Sequence, residues 1–168
     1  MHFEKNEILI TTGGSEALQI VLNCILDDGD EILIPEPFYP NYNTMVNTTG
    51  AKIHPIPTTP EEGYHYADRA KIEAEINENT RAIMCTNPGN PTGVVLSHEE
   101  MRTMADIARE HDLFLISDEV YRELVYDGQR LSSMLEFEDA AENVVVVDSV
   151  SKRFSACGAR IGCLVTRN

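Results

Sequence analysis

The chain has 168 residues, 42% of them hydrophobic and 24% charged, which suits one folded domain with a sizeable core. Lys and Arg number 13 against 28 Asp and Glu, a formal net charge of -15. That balance argues against nucleic acid or an anionic membrane as partner, because both need clustered cations. No apolar run approaches the ~20 residues of a spanning helix, and the opening Met1-His2-Phe3-Glu4-Lys5 lacks a signal-peptide pattern. The cysteines, Cys24, Cys85, Cys157 and Cys163, form no Cys-x-x-Cys pair, and the histidines are scattered. The expectation is a reducing, cytoplasmic setting and no metal site.

In chain order, a strand at Ile8–Thr11 leads through a Gly-rich turn into a helix over Ser15–Leu26, with Ala17, Leu18, Val21, Leu22 and Ile25 at helical spacing. A strand at Glu31–Ile34, a short helix over Tyr39–Asn47 and a strand at Lys52–Ile56 follow. Thr58–Gly63 reads as a surface loop and Asp68–Ile76 as another short helix. After a strand at Ala82–Cys85, Ser97 and Glu100 form a capping box that opens a helix over Ser97–His111. Strands at Leu113–Ser117, Val144–Asp148 and Ile161–Thr166 complete the series, with a turn of helix predicted over Glu119–Val125.

The strand runs are β-branched and nearly continuous, as strands covered on both faces are. Their alternation with helices predicts an α/β fold, a three-layer α/β/α arrangement around a mostly parallel sheet of about seven strands, in one domain over residues 1–168.

In open parallel sheets, ligands bind beyond the carboxyl ends of the strands. The segments that follow the strands are therefore the candidates. Gly13-Gly14-Ser15 at a helix start suits an anion, since free N–H groups and the helix dipole favour negative charge by ~0.3–1 kcal/mol; alone it is equally a Gly-rich turn capped by Ser15. Lys152, one of four lysines, follows a buried strand, and like charge from Arg153 and Arg160 together with partial desolvation would favour its neutral amine. Such an amine can attack a carbonyl; a lysine snorkelling from a loop is the plain alternative. Asp118 ends a buried strand and needs a partner, either a cationic ring nitrogen or the backbone of a following helix. Tyr121, Tyr39 and Asn90 add a phenol, an aromatic face and an amide fixed between prolines, although each is also an ordinary packing or turn residue. Together they make a set that matches pyridoxal phosphate.

The motifs Thr12-Gly13-Gly14-Ser15-Glu16-Ala17-Leu18, Pro35-Glu36-Pro37-Phe38-Tyr39-Pro40-Asn41-Tyr42, Asn87-Pro88-Gly89-Asn90-Pro91-Thr92-Gly93, Ser117-Asp118-Glu119-Val120-Tyr121, Ser149-Val150-Ser151-Lys152-Arg153-Phe154 and Arg160-Ile161-Gly162 stand in that order. In this the chain resembles the large domain of class I aminotransferases, the aspartate aminotransferase superfamily of fold-type I pyridoxal-phosphate enzymes. The resemblance implies that Lys152 carries the cofactor as a Schiff base and moves a proton at the substrate α-carbon. It implies that Asp118 holds the ring nitrogen protonated, and that Asn90 and Tyr121 bind the phenolic oxygen while Tyr39 stacks on the ring. It gives the phosphate to Gly14, Ser15, Glu16, Ser149, Ser151 and Arg160, and expects a cis Asn90-Pro91 bond. It further implies amino-acid and 2-oxo-acid substrates and a homodimeric full-length protein. An N-terminal arm and a small C-terminal domain have no counterpart here, so exposed apolar surface is expected. Other reactions on the same cofactor, β-lyase or aminocyclopropane-carboxylate-synthase chemistry, use the same residues. A non-catalytic cofactor-sensing module and a plain flavodoxin-like ligand binder are the remaining readings.

Overall fold

The computed structural model describes residues 2–168. Seven strands form one sheet: β1 (Ile8–Thr11), β2 (Glu31–Glu36), β3 (Lys52–Pro57), β4 (Thr80–Thr86), β5 (Phe114–Asp118), β6 (Val144–Ser149) and β7 (Gly162–Thr166). Their order across the sheet is β1-β7-β6-β5-β4-β2-β3. β7 runs antiparallel to both its neighbours, and the pairs from β6 through to β3 are parallel. The helices are α1 (Gly14–Ile25), α2 (Asn41–Asn47), α3 (Arg69–Glu73), α4 (His98–Glu110) and α5 (Val150–Arg153), the last not foreseen from the sequence.

The continuous apolar runs make a core on each face of the sheet, because successive strand residues point to opposite sides. Ile32, Ile34, Met84, Ile116, Val145 and Val147 pack under α1 and α2 with Ala17, Leu22, Tyr42 and Val46. Their strand neighbours Leu33, Ile83, Cys85, Leu115, Val144 and Val146 pack under α3 and α4 with Ile72, Met101, Met104 and Ile107. This is the expected α/β/α layering. Ser97 caps α4 as its sequence signature predicts: Ser97 Oγ accepts from Glu100 N at 3.2 Å, and Glu100 Oε2 accepts from Ser97 N at 2.8 Å.

Two expectations are corrected. The outermost strand β1 is not covered: Ile8, Leu9 and Ile10 are exposed, as are Phe154 and Ile161 nearby. The chain after β5 does not form a helix over Glu119–Val125; it runs as turns, because Glu119 is drawn wholly into the interior. Asp118 accordingly caps a turn rather than a helix, its Oδ1 accepting from Val120 N at 3.2 Å. Among the described residues no helix is long and apolar enough to cross a membrane.

Candidate active site

An open cleft of about 190 Å³ lies at the carboxyl ends of β4, β5 and β6. Of the eleven residues proposed from sequence, all but Glu16 line it: Gly14, Ser15, Tyr39, Asn90, Asp118, Tyr121, Ser149, Ser151, Lys152 and Arg160. Glu16 is expected there through its backbone N–H in the first turn of α1; its carboxylate accepts from Thr12 N at 2.5 Å and braces the turn before the helix. Tyr42, Leu18, Val120 and Cys157 also line the cleft and were not foreseen.

The wall formed by α1 is built for an anion. Gly13 starts the helix at φ 82, a left-handed backbone that favours glycine, and no side chain caps the first turn. The first N–H groups of this 12-residue helix are thus left for a ligand. A side chain at Gly13 would strike the Arg160 guanidinium. Arg160 itself sits in the left-handed region and donates to Cys157 O at 2.9 Å and Thr12 O at 3.2 Å, which stations the guanidinium beside the turn. Ser149 is buried and its Oγ accepts from Ser151 N at 3.3 Å, opening the turn that presents Lys152.

The floor is Asp118, only 5% exposed, with no ion-pair partner among the described residues. Tyr42, 1% exposed, donates its hydroxyl proton to Asp118 Oδ2 at 2.8 Å. That proton being committed, Thr86 Oγ1 at 2.9 Å is the donor to Tyr42. Burial raises the Asp118 pKa, partly offset by the Tyr42 and Val120 hydrogen bonds, and the charge of Asp148 raises it further. Burial, then the charge of Asp118, push the Tyr42 phenol well above its ordinary range, so it stays a donor. A buried carboxylate with two neutral donors and no cation favours a cationic N–H from a ligand.

The far side carries the paired amide and phenol, Asn90 Nδ2 donating to Tyr121 Oη at 3.3 Å. The Asn90-Pro91 bond is cis as expected; Glu36-Pro37 and Asn87-Pro88 are cis as well. Lys152 is exposed to the cleft, with Nζ 5.9 Å from the Tyr121 ring centre. The expected press of Arg153 on this amine does not occur, since Arg153 turns to Asp148 at 2.7 Å. Tyr39 meets Tyr42 edge to face at 5.5 Å and takes a hydrogen bond on its hydroxyl from Asn41, leaving its ring at the cleft wall.

The tyrosine missed from sequence had one local signal: Tyr42 lies three residues after Tyr39, on the buried side of α2 with Met45 and Val46. Its partner stands 76 residues away, so nothing local announced the contact.

The sequence profile of the family described as "Aminotransferase class I and II" matches residues 1–168. A probable aspartate/prephenate aminotransferase of Thermus aquaticus is 37% identical over 156 residues, 93% of this chain and 40% of the relative. The solved structure of an aspartate aminotransferase mutant of Thermus thermophilus superposes with a TM-score of 0.91 at 35% identity, covering 98% of this chain and 42% of that one. An aromatic aminotransferase of Pyrococcus horikoshii does so with a TM-score of 0.91 at 34% identity, covering 95% and 42%. The chain therefore spans about two fifths of the length of its relatives.

Proposed function

Because the chain belongs to the class I and II aminotransferase family, we propose that its cleft holds pyridoxal 5'-phosphate and serves amino-group transfer between an L-amino acid and a 2-oxo acid. The observation that carries this reading is the pairing of opposites on one cleft. Among the described residues Asp118 has no cation and Lys152 no carboxylate as partner, and the Asn90–Tyr121 pair borders the same space. The residues fit the cofactor group by group. The open turn of α1, with Ser15, Ser149, Ser151 and Arg160, suits a phosphate; Arg offers it a bidentate fork. Asp118, held by Tyr42 and Val120, accepts a hydrogen bond from a protonated ring nitrogen. Asn90 and Tyr121 would take the phenolic oxygen, and Tyr39 would offer its ring to the aromatic cofactor.

When bound, this cofactor supplies an aldehyde for an amine and a ring that withdraws electrons from the substrate α-carbon. The protein's work is positioning and proton transfer. Lys152 would offer the amine that holds the cofactor's aldehyde and a base able to move a proton at the substrate α-carbon. Tyr42 fixes the direction of the Asp118 carboxylate, and Leu18 and Val120 give the cleft lining its aliphatic side chains. The substrates, and a homodimeric assembly in which a second copy borders the cleft, belong to the same reading. The protein mixed with pyridoxal 5'-phosphate should gain a yellow absorbance band that borohydride removes, and Lys152→Ala should abolish it. No band in the wild-type protein would overturn the reading.

A further inference from the structure

Behind the cleft, on the side away from the ligand space, five charged side chains alternate in sign. Glu119 Oε2 lies 3.8 Å from Arg122 Nη1, and Arg122 Nη1 lies 3.9 Å from Asp148 Oδ2. Asp148 Oδ2 accepts from Arg153 Nη2 at 2.7 Å, and Arg153 Nε lies 3.6 Å from Glu123 Oε1. Four of these residues are each the chain neighbour of a cleft residue: Glu119 of Asp118, Arg122 of Tyr121, Asp148 of Ser149, Arg153 of Lys152. The series thus runs from the loop that carries Tyr121 to the turn that carries Lys152.

One end and the middle of the series are anchored. Glu119 is fully buried, its Oε1 accepting from Ser117 Oγ, Ser133 Oγ and Met134 N. Asp148 Oδ1 accepts from Ser149 N at 2.7 Å. Two buried atoms in the series, Glu119 Oε2 and Arg153 Nε, have no hydrogen-bond partner and face the opposite charge just beyond hydrogen-bond reach. In a region of reduced dielectric such groups are held by charge rather than by bonding, and the closest pair, Arg153–Asp148, dominates.

The lysine needs such a fastening. α5 has only four residues, too few to hold its shape through its own hydrogen bonds, and Lys152 itself touches no carboxylate among the described residues. We propose that Arg153 is a positioning residue for Lys152: by joining Asp148 on β6 to Glu123 on the Tyr121 loop, it fastens the lysine turn to that loop and sets where the amine stands beside the phenol. The proposal rests on the cleft being the catalytic site, and its first test is independent of cofactor.

Hydrogen–deuterium exchange on the cofactor-free protein should show the amides of 120–126 and 150–156 opening on the order of tenfold faster in Arg153→Met, which keeps the apolar stem of the side chain and removes its charge. Arg153→Lys should recover the 150–156 segment, since an ammonium can reach Asp148, but not the 120–126 segment, since it lacks the second arm of the fork. Glu123→Gln, on an exposed side chain that leaves the core intact, should loosen 120–126 alone, so a folding failure of Arg153→Met still leaves a decision. Loaded with pyridoxal 5'-phosphate, Arg153→Met should shift the pH midpoint of the absorbance band, a change that loss of stability alone does not produce. Wild-type exchange in both segments of Arg153→Met, or in 120–126 of Glu123→Gln, would overturn the proposal, as would an unshifted midpoint. If the wild-type protein itself shows no band, the cofactor reading falls, and the exchange arm alone decides whether Arg153 fastens the turn.

Discussion

The two rims of the sheet handle charge in opposite ways. At the rim where β2 and β4 begin, His54 is held between Glu31 at 3.0 Å and Glu75 at 2.8 Å, Asn77 donates to Glu31 at 2.8 Å, and Arg81 meets Asp30 at 3.2 Å. Each of these charges has its partner within the chain. At the rim where β4, β5 and β6 end, Asp118 and Lys152 open on one cleft, neither with an ion-pair partner among the described residues. One rim uses its charges to join neighbouring elements. The other pairs Asp148 with Arg153 outside the cleft lining but leaves Asp118 and Lys152 apart within it, at a cost in stability that a ligand can offset.

The largest effect that would test this contrast is at Asp118. Asp118→Asn removes a buried charge that has no cation; its one oxygen can still accept from Val120 N, and Tyr42 can reverse its hydroxyl, accepting from the new amide nitrogen and donating to Thr86. Thermal stability should hold or rise, since an uncompensated buried charge is lost. The half-reaction of the cofactor-loaded protein with an amino acid, followed by absorbance, should slow by roughly 100-fold or more. A fall in stability matching the fall in rate would show that Asp118 is structural and would erase the difference between the rims.

Gly162→Ala comes next. A Cβ there would meet the backbone of the phosphate turn, at Gly13 C and at 2.6 Å from Gly14 N. Backbone cannot yield as a flexible side chain can, so the cost should be about 2 kcal/mol, within the range for overpacking. Chemical denaturation would measure it. Phosphate-bearing ligands should weaken more than pyridoxal, which lacks the phosphate, because the displaced groups are the N–H donors at the start of α1.

These two residues also show what the sequence made legible. Strands, capping box and rim loops were readable because their signals are local: nearly continuous β-branched runs, Ser97 three residues before Glu100, polar segments directly after apolar runs. The site residues at strand ends, Asn90, Asp118, Tyr121 and Lys152, shared that legibility because the topology of a parallel sheet gathers such ends on one rim. What failed was set by distant partners. The helix predicted after Asp118 is absent because Glu119 is captured by Ser133 and Met134, 14 and 15 residues on. Arg153 was assigned to the lysine and instead serves Asp148.

A smaller effect is expected at Tyr42. Tyr42→Phe keeps the ring packed and removes one hydrogen bond to a carboxylate, worth ~1.5–3 kcal/mol. It also leaves Thr86 without its acceptor. Cofactor affinity should drop by about tenfold through a misdirected Asp118, with little change in the stability of the cofactor-free protein, because the Asp118 charge can neutralise once its donor is gone. An unchanged dissociation constant would mean that Val120 N alone orients the carboxylate.

The smallest effect belongs to the opposite rim and has a defined pH dependence. Both nitrogens of His54 face carboxylates, and only the protonated ring donates to both. The hydrogen bond to Glu75 leads in raising its pKa above the ordinary 6.5, so its contribution is complete below that value and is lost as pH rises through the raised one. The bond from Asn77, then that from His54, lowers the Glu31 pKa below 4.5; its contribution is complete above 4.5 and is lost as pH falls through the lowered value. Both contributions are therefore whole only between 4.5 and 6.5. His54→Gln should cost about 0.5–1 kcal/mol in that window, screened because the cluster is partly exposed, and the melting-temperature gap to wild type should close at alkaline pH. Cofactor affinity should not move at all, since this rim shares no residue with the cleft. A variant that lost cofactor along with stability would show that strain passes through the sheet from one rim to the other, and the division of labour between them would have to be abandoned.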